Sequence, residues 1–589
     1  MHENIRFVVL DTVVALILLM GSASGQLQQS TIDENSRRLD EMTQQTTAGA
    51  LKVPKEVKVV VEADKPRGVM MPWTMGVHSL VSDSHLTDSD TIRMLRAAGI
   101  TTLRYPGGRI ADTFHWSTYK PSNWQGLDHP NVGYAPASDL GSFLRFMEQV
   151  GTAVFTVNYG SNLLGSGGGE PAEAAAWVAY TNGSPTDTKS IGKDSVGNDW
   201  QTAGYWASLR ASRPLASDDG KNFLRLQHPA PFAIHFWEIG NQVFENGYYG
   251  GEGLEEDAHV PYAADAKNNE RSRKKNPSLS PAAYAKNFLE FARAMKAVDP
   301  KIHLGVPLNP SVNGQINRQE WTKDMVTGKY VNVTSVSVEK DFGYASDWAK
   351  GVLGATCNDV DFVSVPLYAG DTTTESNWKD LDESKLLTAP QATLAQTLAG
   401  MADLIQKACG QRARNIRVAV TEMGPIPWAK VTEPTTVGLF AADAYLTLAE
   451  YGVINVDWAE LHSGAFLDEN NKPGAAYYGM QTVYALMNFN DVFLTASSSA
   501  PALSVHAAKR ADGSVGIMLI NKDGKSGTTV KISLKGVALA AKGARFDYGK
   551  STPPVGNSIV GQRMEGLGTS FSVPMLPYTA TVILIPKAQ

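Results

Sequence analysis

Cysteine is scarce in this chain: its 589 residues include only two, Cys357 and Cys409. Two cysteines cannot build the multi-disulfide framework of a small secreted domain, and they have no Cys/His spacing for zinc. No basic tract suggests a nucleic-acid partner, and the net charge of -6 is mild for this length. The composition therefore leaves a large globular protein of 43% hydrophobic residues, with no nucleic acid, metal or organic cofactor implied.

Long uninterrupted apolar runs are also missing. The N-terminal run FVVLDTVVALILLM is shorter than the ~20 apolar residues of a membrane span, and Asp11 interrupts it. Small residues follow in GSASGQ, a pattern typical of a cleaved export signal. We therefore predict a signal peptide at 1–25, a secreted or periplasmic product, and no stable membrane span after signal removal. An uncleaved anchor and a mis-assigned start are the alternatives. Residues 26–55 have few apolar positions and no sustained period, which predicts a flexible leader.

From Pro72 onward, short β-rich runs alternate with amphipathic runs such as SDTIRMLRAAG and TTVGLFAADAYLTLAEYG, whose first residues can cap helices. The predicted strands are 75–80, 101–108, 153–160, 235–241, 302–308, 361–368, 417–424 and 455–461. Eight β-then-α units predict a (β/α)8 TIM barrel over residues 65–490. The rival doubly wound sheet usually carries a glycine-rich phosphate loop after its first strand, and none follows MGVHSL.

The C-terminal region, residues 491–589, changes character. It alternates apolar and polar residues between turns such as ADG and KDGKSG, which predicts an antiparallel β-sandwich. Residues 56–64, EVKVVVEAD, have the same period and can join that sandwich as a strand. Cys357 precedes the sixth barrel strand and Cys409 ends the helix after it, so both fall at the bottom of the barrel. A disulfide in an oxidising compartment and two unpaired buried thiols are both compatible with these positions.

Polar side chains gather where the predicted barrel strands end, which is where a TIM barrel carries its active site. Glu422 follows an apolar strand in AVTEMG, and Gln242 ends the strand opposite it. Retaining glycosidases need two carboxyl groups about 5–5.5 Å apart, and strands four and seven can supply such a pair. An aldolase-like barrel would want a strand-end lysine, and these strand ends have none. The strand-end residues selected as candidates are Arg104, Asn158, Asn241, Gln242, Tyr368, Glu422 and Trp458.

The segments RYPGGRIADTFHW, WEIGNQ and TEMG resemble the landmarks of the clan of retaining (β/α)8 glycoside hydrolases. Within that clan the chain most resembles the α-L-arabinofuranosidases, and next the β-xylosidase-like members. The resemblance implies an oligo- or polysaccharide substrate, with Glu422 as the nucleophile and Asn241 binding a sugar hydroxyl.

The same resemblance implies that Arg104, Asn158 and Tyr368 support the substrate. Trp458 is a further substrate-binding candidate at a strand end. Trp116, in the loop after the second strand, can stack on a sugar ring or pack on its neighbours. Nothing in the sequence predicts the oligomeric state.

The chain departs from the clan's pattern at two points. MGVHSL lacks the acidic residue that arabinofuranosidases tend to carry after the first strand. Gln242 stands where the acid/base glutamate belongs, and an amide cannot deliver a proton, which removes a contribution of typically ~10²–10⁴-fold.

Three interpretations of Gln242 stay open. It is an introduced Glu→Gln change, or the proton donor has moved, or the protein binds glycans without cleaving them. If the donor has moved, Glu245 is the first alternative, with Glu238 and Glu460 behind it.

Overall fold

The computed structural model describes residues 51–588 except for 122–133, 251–255, 264–265, 310–320, 324–329, 333–343, 370–381 and 426–430. The predicted signal peptide and most of the predicted leader lie outside the described residues. Among the described residues, no helix is long and apolar enough to cross a membrane.

Eight parallel strands close into a barrel, which confirms the predicted fold class. Each strand coincides with one of the predicted runs. Four of the eight strands are buried along their whole length, as expected where both faces are covered. The barrel strands are Met75–His78, Thr102–Tyr105, Thr152–Val157, Phe236–Ile239, His303–Pro307, Phe362–Ala369, Arg417–Pro425 and Asn455–Trp458.

Helices surround the barrel and begin at the caps that the sequence offers. The Asp139 carboxylate accepts the Ser142 backbone N–H at 2.9 Å, and Ser280 Oγ accepts that of Ala283 at 3.2 Å. The α-helices are Ser89–Ala97, Leu140–Val150, Pro171–Asn182, Ala203–Ala211, Ala266–Arg273, Pro281–Val298, Tyr344–Thr356, Glu383–Ala389, Ala395–Cys409, Thr435–Glu450 and Ala475–Leu486. A π-helical segment, Pro390–Leu394, connects the two helices Glu383–Ala389 and Ala395–Cys409.

The loops between these helices and strands contain short strand pairs and 3₁₀ turns. Two small antiparallel pairs join Phe114–His115 to Lys120–Pro121 and Trp321–Lys323 to Tyr330–Asn332. The 3₁₀ turns are Arg109–Thr113, Pro136–Ser138, Asn222–Leu224, Val243–Glu245, Pro277–Leu279 and Gly410–Asn415.

The second domain is a nine-stranded sheet, in which one strand precedes the barrel in the sequence and the other eight follow it. Strand Glu56–Val69 contains the segment predicted to join the sandwich. It pairs antiparallel with Val492–Ser498 and parallel with Thr528–Lys535, and all other pairs in the sheet are antiparallel. In sheet order the strands are Val560–Glu565, Lys542–Gly549, Thr579–Ile585, Val515–Asn521, Leu503–Lys509, Val492–Ser498, Glu56–Val69, Thr528–Lys535 and Ser570–Met575.

The sheet curls so that strands from its two halves share one apolar core. Val59, Ile517, Ile532 and Val573 belong to this core and are fully or almost fully buried. This core is separate from the larger one that fills the barrel and its helices. The two-layered packing is that of a sandwich made from one continuous sheet.

Cys357 and Cys409 form a disulfide, with their Cα atoms 5.5 Å apart. Cys357 follows helix Tyr344–Thr356 and Cys409 ends helix Ala395–Cys409. Of the two alternatives that the sequence left open, the structure has the bonded pair, at the end of the barrel away from the candidate site.

Candidate active site

Glu422 lies at the mouth of the barrel, on the seventh barrel strand, with 8% of its surface exposed. Three side chains from three other strands reach its carboxylate. Arg104 Nη1 donates to Oε1 at 2.9 Å, the Tyr368 hydroxyl donates to Oε2 at 2.7 Å, and Gln242 Nε2 lies 3.4 Å from Oε2. We call Glu422, Arg104, Tyr368, Gln242 and Glu238 the strand-end cluster. The sequence predicted that the first four would meet, and the structure brings them together.

Arg104 is fully buried and bridges two carboxylates. Its Nε and Nη2 donate to Glu238 Oε2 at 3.1 and 2.7 Å, while Nη1 holds Glu422. Burial alone would lower the pKa of Arg104, but the charges of Glu238 and Glu422 more than offset this and raise it. Arg104 is therefore a permanent cation that fixes the Glu422 carboxylate in one orientation.

Glu238 lies below the mouth, inside the barrel. It is 1% exposed, and its Oε2 accepts from Arg104 and, at 2.8 Å, from Thr156 Oγ1. The Glu238 carboxylate is therefore hydrogen-bonded to side chains in the barrel interior. This placement argues against Glu238 as the proton donor, a role for which the sequence offered it as a distant alternative.

The turn after the fourth strand depends on Asp112, which the sequence reasoning did not single out. Asp112 Oδ2 accepts the Asn241 backbone N–H at 2.8 Å, and Oδ1 accepts those of Tyr159 and Gly160 at 2.8 and 3.1 Å. Asn241 Oδ1 in turn accepts from Arg104 Nη2 at 2.9 Å. One buried carboxylate thus ties the ends of the third and fourth strands together. The sequence signal that could have pointed to Asp112 is its position within the segment RYPGGRIADTFHW.

Gln242 has a left-handed backbone conformation, with φ 38° and ψ 36°. A non-glycine residue in this region costs on the order of 1 kcal/mol and persists where the surroundings enforce it, often at functional sites. The preceding Gly240 also has positive φ, 79°. This turn directs the Gln242 amide back over the barrel towards Glu422.

Comparisons with known proteins relate the chain to α-L-arabinofuranosidases. No family model matches the chain. The chain is 26% identical over 235 residues to a probable α-L-arabinofuranosidase C of Aspergillus fumigatus, covering 38% of this chain and 33% of that protein. It is 24% identical over 228 residues to α-L-arabinofuranosidase C of Emericella nidulans, with the same coverage. The match thus spans about a third of the length of these curated relatives.

Solved structures resemble the chain over most of its length. An α-L-arabinofuranosidase from Thermotoga maritima in complex with arabinose has a TM-score of 0.61 at 16% identity, covering 90% of this chain and all of that one. A family 44 xyloglucanase from Paenibacillus polymyxa has a TM-score of 0.55 at 12% identity, covering 91% of this chain and all of that one. The fold is that of the (β/α)8 glycoside hydrolases. The predicted resemblance to the arabinofuranosidases is thereby confirmed.

Asn158 holds the loops that follow the second and third barrel strands. It makes no described contact with the strand-end cluster. Its Nδ2 donates to the Phe114 carbonyl at 3.2 Å, and its Oδ1 accepts the Ser161 backbone N–H at 2.9 Å. Both ends of its amide are therefore engaged by the loops after the second and third strands. Asn158 shapes the mouth from below, and its predicted role in binding substrate directly stays a prediction.

Trp458 ends the eighth barrel strand and is fully buried. It pairs with Met423 next to Glu422, and its ring meets Phe440 edge-on at 6.3 Å between centroids. Its indole N–H has no hydrogen-bond partner among the described residues. Trp458 thus packs beside the strand that carries Glu422 and presents no ring face to solvent.

Trp116 belongs to the core and not to the mouth, which corrects the expectation that it stacks on a sugar. It is 1% exposed and stacks on Trp177 at 6.0 Å, with Trp206 edge-on at 4.9 Å. Its Nε1 donates to the Glu173 carbonyl at 3.2 Å. The sequence showed a loop tryptophan but could not show that neighbouring helices cover both of its faces.

Two further carboxyl groups lie near the mouth. Glu245 is half-buried in the turn Val243–Glu245, and its carboxylate makes no hydrogen bond or ion pair with the described residues. Glu460 is half-buried just after the eighth strand. Its pKa is raised, first by burial and then by the charges of Glu422 and Asp83. Glu460 therefore keeps its proton to a higher pH than a solvated glutamate does.

Asp457 adds a further buried acid beneath the cluster. Burial, with the charges of Glu238 and Glu422, raises the pKa of Asp457 to about 8, against opposing effects of Asn455 and Arg104. Its Oδ1 accepts from Asn455 Nδ2 at 3.1 Å. Asp457 is therefore largely protonated at neutral pH, which limits the negative charge around Arg104. Within the described part of the chain, no group of three or more His, Cys, Asp and Glu side chains is arranged to hold a metal ion.

Proposed function

We propose that this protein is a retaining glycoside hydrolase, that its substrates are α-L-arabinofuranosides or similar glycosides of plant or microbial glycans, and that Glu422 is the nucleophile. The observation that carries the proposal is the strand-end cluster. A carboxylate fixed by Arg104 and Tyr368 lies opposite the residue-242 side chain at the mouth of a glycosidase barrel. The arabinofuranosidase relatives supply the sugar class.

The spacing across the mouth supports retention over inversion. Gln242 Nε2 lies 3.4 Å from Glu422 Oε2. Inverting enzymes separate their two carboxyl groups by about 6.5–9.5 Å to hold a water between them. The observed contact is closer to the spacing of about 5–5.5 Å in retaining enzymes, in which the nucleophile itself attacks the anomeric carbon.

In the proposed first step, a Glu422 oxygen bonds to the anomeric carbon as the glycosidic oxygen leaves. Arg104 and Tyr368 hold the carboxylate in place, and the Gln242 amide can donate a hydrogen bond to the departing oxygen but not a proton. In the second step, water releases the sugar without help from a base at position 242. Good leaving groups should therefore pass the first step readily and stall at the second.

A non-catalytic glycan-binding protein is the second candidate. The specific observation in its favour is Gln242 itself, whose amide has no ionisable proton and already lies beside Glu422. Such a protein would keep the shape of the cleft and bind oligosaccharides without turnover.

Export belongs to the same proposal. The disulfide between Cys357 and Cys409 supports an oxidising compartment, and the N-terminal sequence has the pattern of an export signal. Thiol labelling tests this part. It compares how much of Cys357 and Cys409 is oxidised in protein recovered from the cell and in protein recovered from the medium.

The function is tested by restoring the missing acid. Gln242→Glu and the chain as given are assayed on phenyl and dinitrophenyl α-L-arabinofuranosides, with β-xylosides alongside. We expect Gln242→Glu to raise kcat/KM on the phenyl glycoside by about 10²–10⁴-fold and to raise that on the dinitrophenyl glycoside much less. Glu422→Gln in the same background is the matched control and should abolish turnover.

The two candidate functions give different results in this assay. If neither protein hydrolyses any glycoside and both bind oligosaccharides by calorimetry, the binding-protein candidate replaces the hydrolase. Equal and substantial rates with Gln and Glu at position 242 would mean that this residue does not carry the proton.

A further inference from the structure

His78 ends the first barrel strand and lies at the floor of the candidate site. Its side chain is 3% exposed, and neither ring nitrogen has a hydrogen-bond partner among the described residues. The Gly107 backbone runs alongside the ring, without a hydrogen bond of normal geometry. A buried polar group left unpaired costs about 1–3 kcal/mol, so an imidazole with both nitrogens free calls for a partner.

The glycine at position 108 lets His78, Glu422 and Asn241 lie close together. A Cβ atom placed on Gly108 would lie 2.6 Å from Glu422 Oε1, 3.3 Å from His78 Cε1 and 3.6 Å from Asn241 Oδ1. The Glu422 carboxylate, the imidazole and the Asn241 amide oxygen therefore lie around the Gly108 backbone, too close together for a side chain at that position. His78 thus faces the same space as Glu422 and not the packed core.

The imidazole is neutral. Burial, and then the positive charge of Arg104, lower the pKa of His78 well below its usual value. A neutral ring offers one N–H donor and one acceptor nitrogen, which matches a hydroxyl group that both accepts and donates. It offers no charge to a carboxylate.

The two arginines that flank this turn are already paired. Arg104 is shared by Glu238 and Glu422, and Arg109 lies 3.2 Å from Glu256. Glu422 adds negative charge to the mouth. An anionic sugar such as a uronate would meet repulsion here without a free described cation to balance it.

We propose that the imidazole of His78 binds a hydroxyl group of the sugar ring held against Glu422, and that this sugar is uncharged. The inference rests on the proposed function because it assigns a ligand to the same site. His78 takes the place, after the first strand, where the arabinofuranosidase pattern has an acidic residue. A neutral imidazole in place of a carboxylate changes which hydroxyl, and which of its two hydrogen-bonding roles, is recognised.

The test measures binding, so that it does not depend on turnover. L-arabinose, its monodeoxy derivatives, D-xylose and D-glucuronic acid are titrated by calorimetry into the chain as given, into His78→Phe and into His78→Gln. His85→Phe, which alters a surface histidine paired with Asp88, is the matched control. We expect His78→Phe to bind the preferred neutral sugar about tenfold or more weakly, His78→Gln to recover part of this loss, and His85→Phe to change nothing.

Discrimination among the deoxy sugars identifies the hydroxyl. The unchanged protein should bind one monodeoxy sugar about tenfold more weakly than the parent, and His78→Phe should bind these two sugars equally. If His78→Phe does not fold, His78→Gln decides: a changed preference among the monodeoxy sugars supports the role, and an unchanged preference contradicts it. Wild-type affinity in His78→Phe, or tighter binding of D-glucuronic acid than of the neutral sugars, would overturn the proposal.

Failure of this inference is distinguishable from failure of the proposed function. If sugars bind as expected but neither the chain nor Gln242→Glu hydrolyses any glycoside, the hydrolase proposal fails while the role of His78 stands. If Gln242→Glu hydrolyses arabinofuranosides and His78→Phe in that background leaves kcat/KM unchanged, only the role of His78 fails. If no neutral sugar binds and no glycoside is hydrolysed, both fail.

Discussion

Proton donation by another carboxyl group is the open question at the scale of single residues. Glu460 retains its proton more readily than a solvated glutamate because it is half-buried and lies in the field of Glu422. The Glu245 side chain makes no described hydrogen bond or ion pair with the strand-end cluster, to which only its backbone N–H donates, at the Gln242 carbonyl. The structure therefore ranks Glu460 above Glu245, although the sequence placed Glu245 first because it is only three residues from Gln242.

We expect Glu460→Gln to lower the residual kcat/KM of the chain on phenyl glycosides by about tenfold or more. Dinitrophenyl glycosides should be affected less, because their leaving groups need little protonation. Glu245→Gln is the matched control and should change either rate less than threefold. A loss confined to Glu245→Gln would return the role to Glu245.

Residues that the sequence could and could not assign differ in a physical way. Arg104, Tyr368 and Glu422 lie towards the ends of apolar strands, and Gln242 comes shortly after one, so the barrel geometry brings them together. Asp112 acts through backbone N–H groups of two distant strand ends, which no local pattern reveals. The unpaired state of the His78 ring is likewise visible only in three dimensions.

At the scale of secondary-structure elements, the strands were predictable because the periodicity is clear. All eight barrel strands were located from apolar runs, and the observed first strand, Met75–His78, stops where the run turns polar. The segment that ends at Cys409 was predicted as one helix, whereas in the structure a π-helical turn that begins at Pro390 joins two helices. The burial of aromatic side chains in loops could not be predicted from the sequence either, because the helices that cover them come from elsewhere in the chain.

Trp116 gives a direct test of that last point. We expect Trp116→Ala to lower the free energy of unfolding by about 3–5 kcal/mol, because it removes a large side chain from a packed aromatic cluster. Sugar affinity of the protein that remains folded should stay within about twofold. Tyr205→Ala, an exposed neighbour of Trp206, should change the stability far less. A selective loss of sugar affinity at unchanged stability would restore Trp116 to the binding site.

At the scale of the whole molecule, a buried ionic network joins the barrel to the sheet. His506 on the sheet lies 2.8 Å from both Asp443 and Glu450 on helix Thr435–Glu450. Lys522 contacts Asp443 at 2.7 Å, and Arg67 contacts Glu450 at 3.0 Å. Burial alone would lower the pKa of His506, but the two carboxylates raise it to about 9.

This raised pKa predicts how stability depends on pH. The imidazolium contributes its full stabilisation below the unfolded pKa of about 6.5 and loses it as pH rises through about 9. We expect His506→Gln to lower the thermal midpoint most at pH 6, and the difference from the unchanged protein to shrink steadily by pH 10. Calorimetry at pH 6, 8 and 10 measures this, with His85→Gln as the surface control. A difference that is constant with pH would show that His506 is not charged in the fold.

The central claim is that Glu422 attacks the sugar, and trapping the covalent intermediate tests it most directly. Because Gln242 supplies no base for the second step, the chain as given should accumulate a glycosyl-enzyme when it is mixed with a dinitrophenyl α-L-arabinofuranoside or a matched pentoside. Intact-mass spectrometry should show the protein heavier by one sugar residue, and peptide mapping should place that sugar on Glu422, with no adduct in Glu422→Gln. An adduct on any other residue, or the absence of an adduct during measurable release of dinitrophenol, would contradict the account.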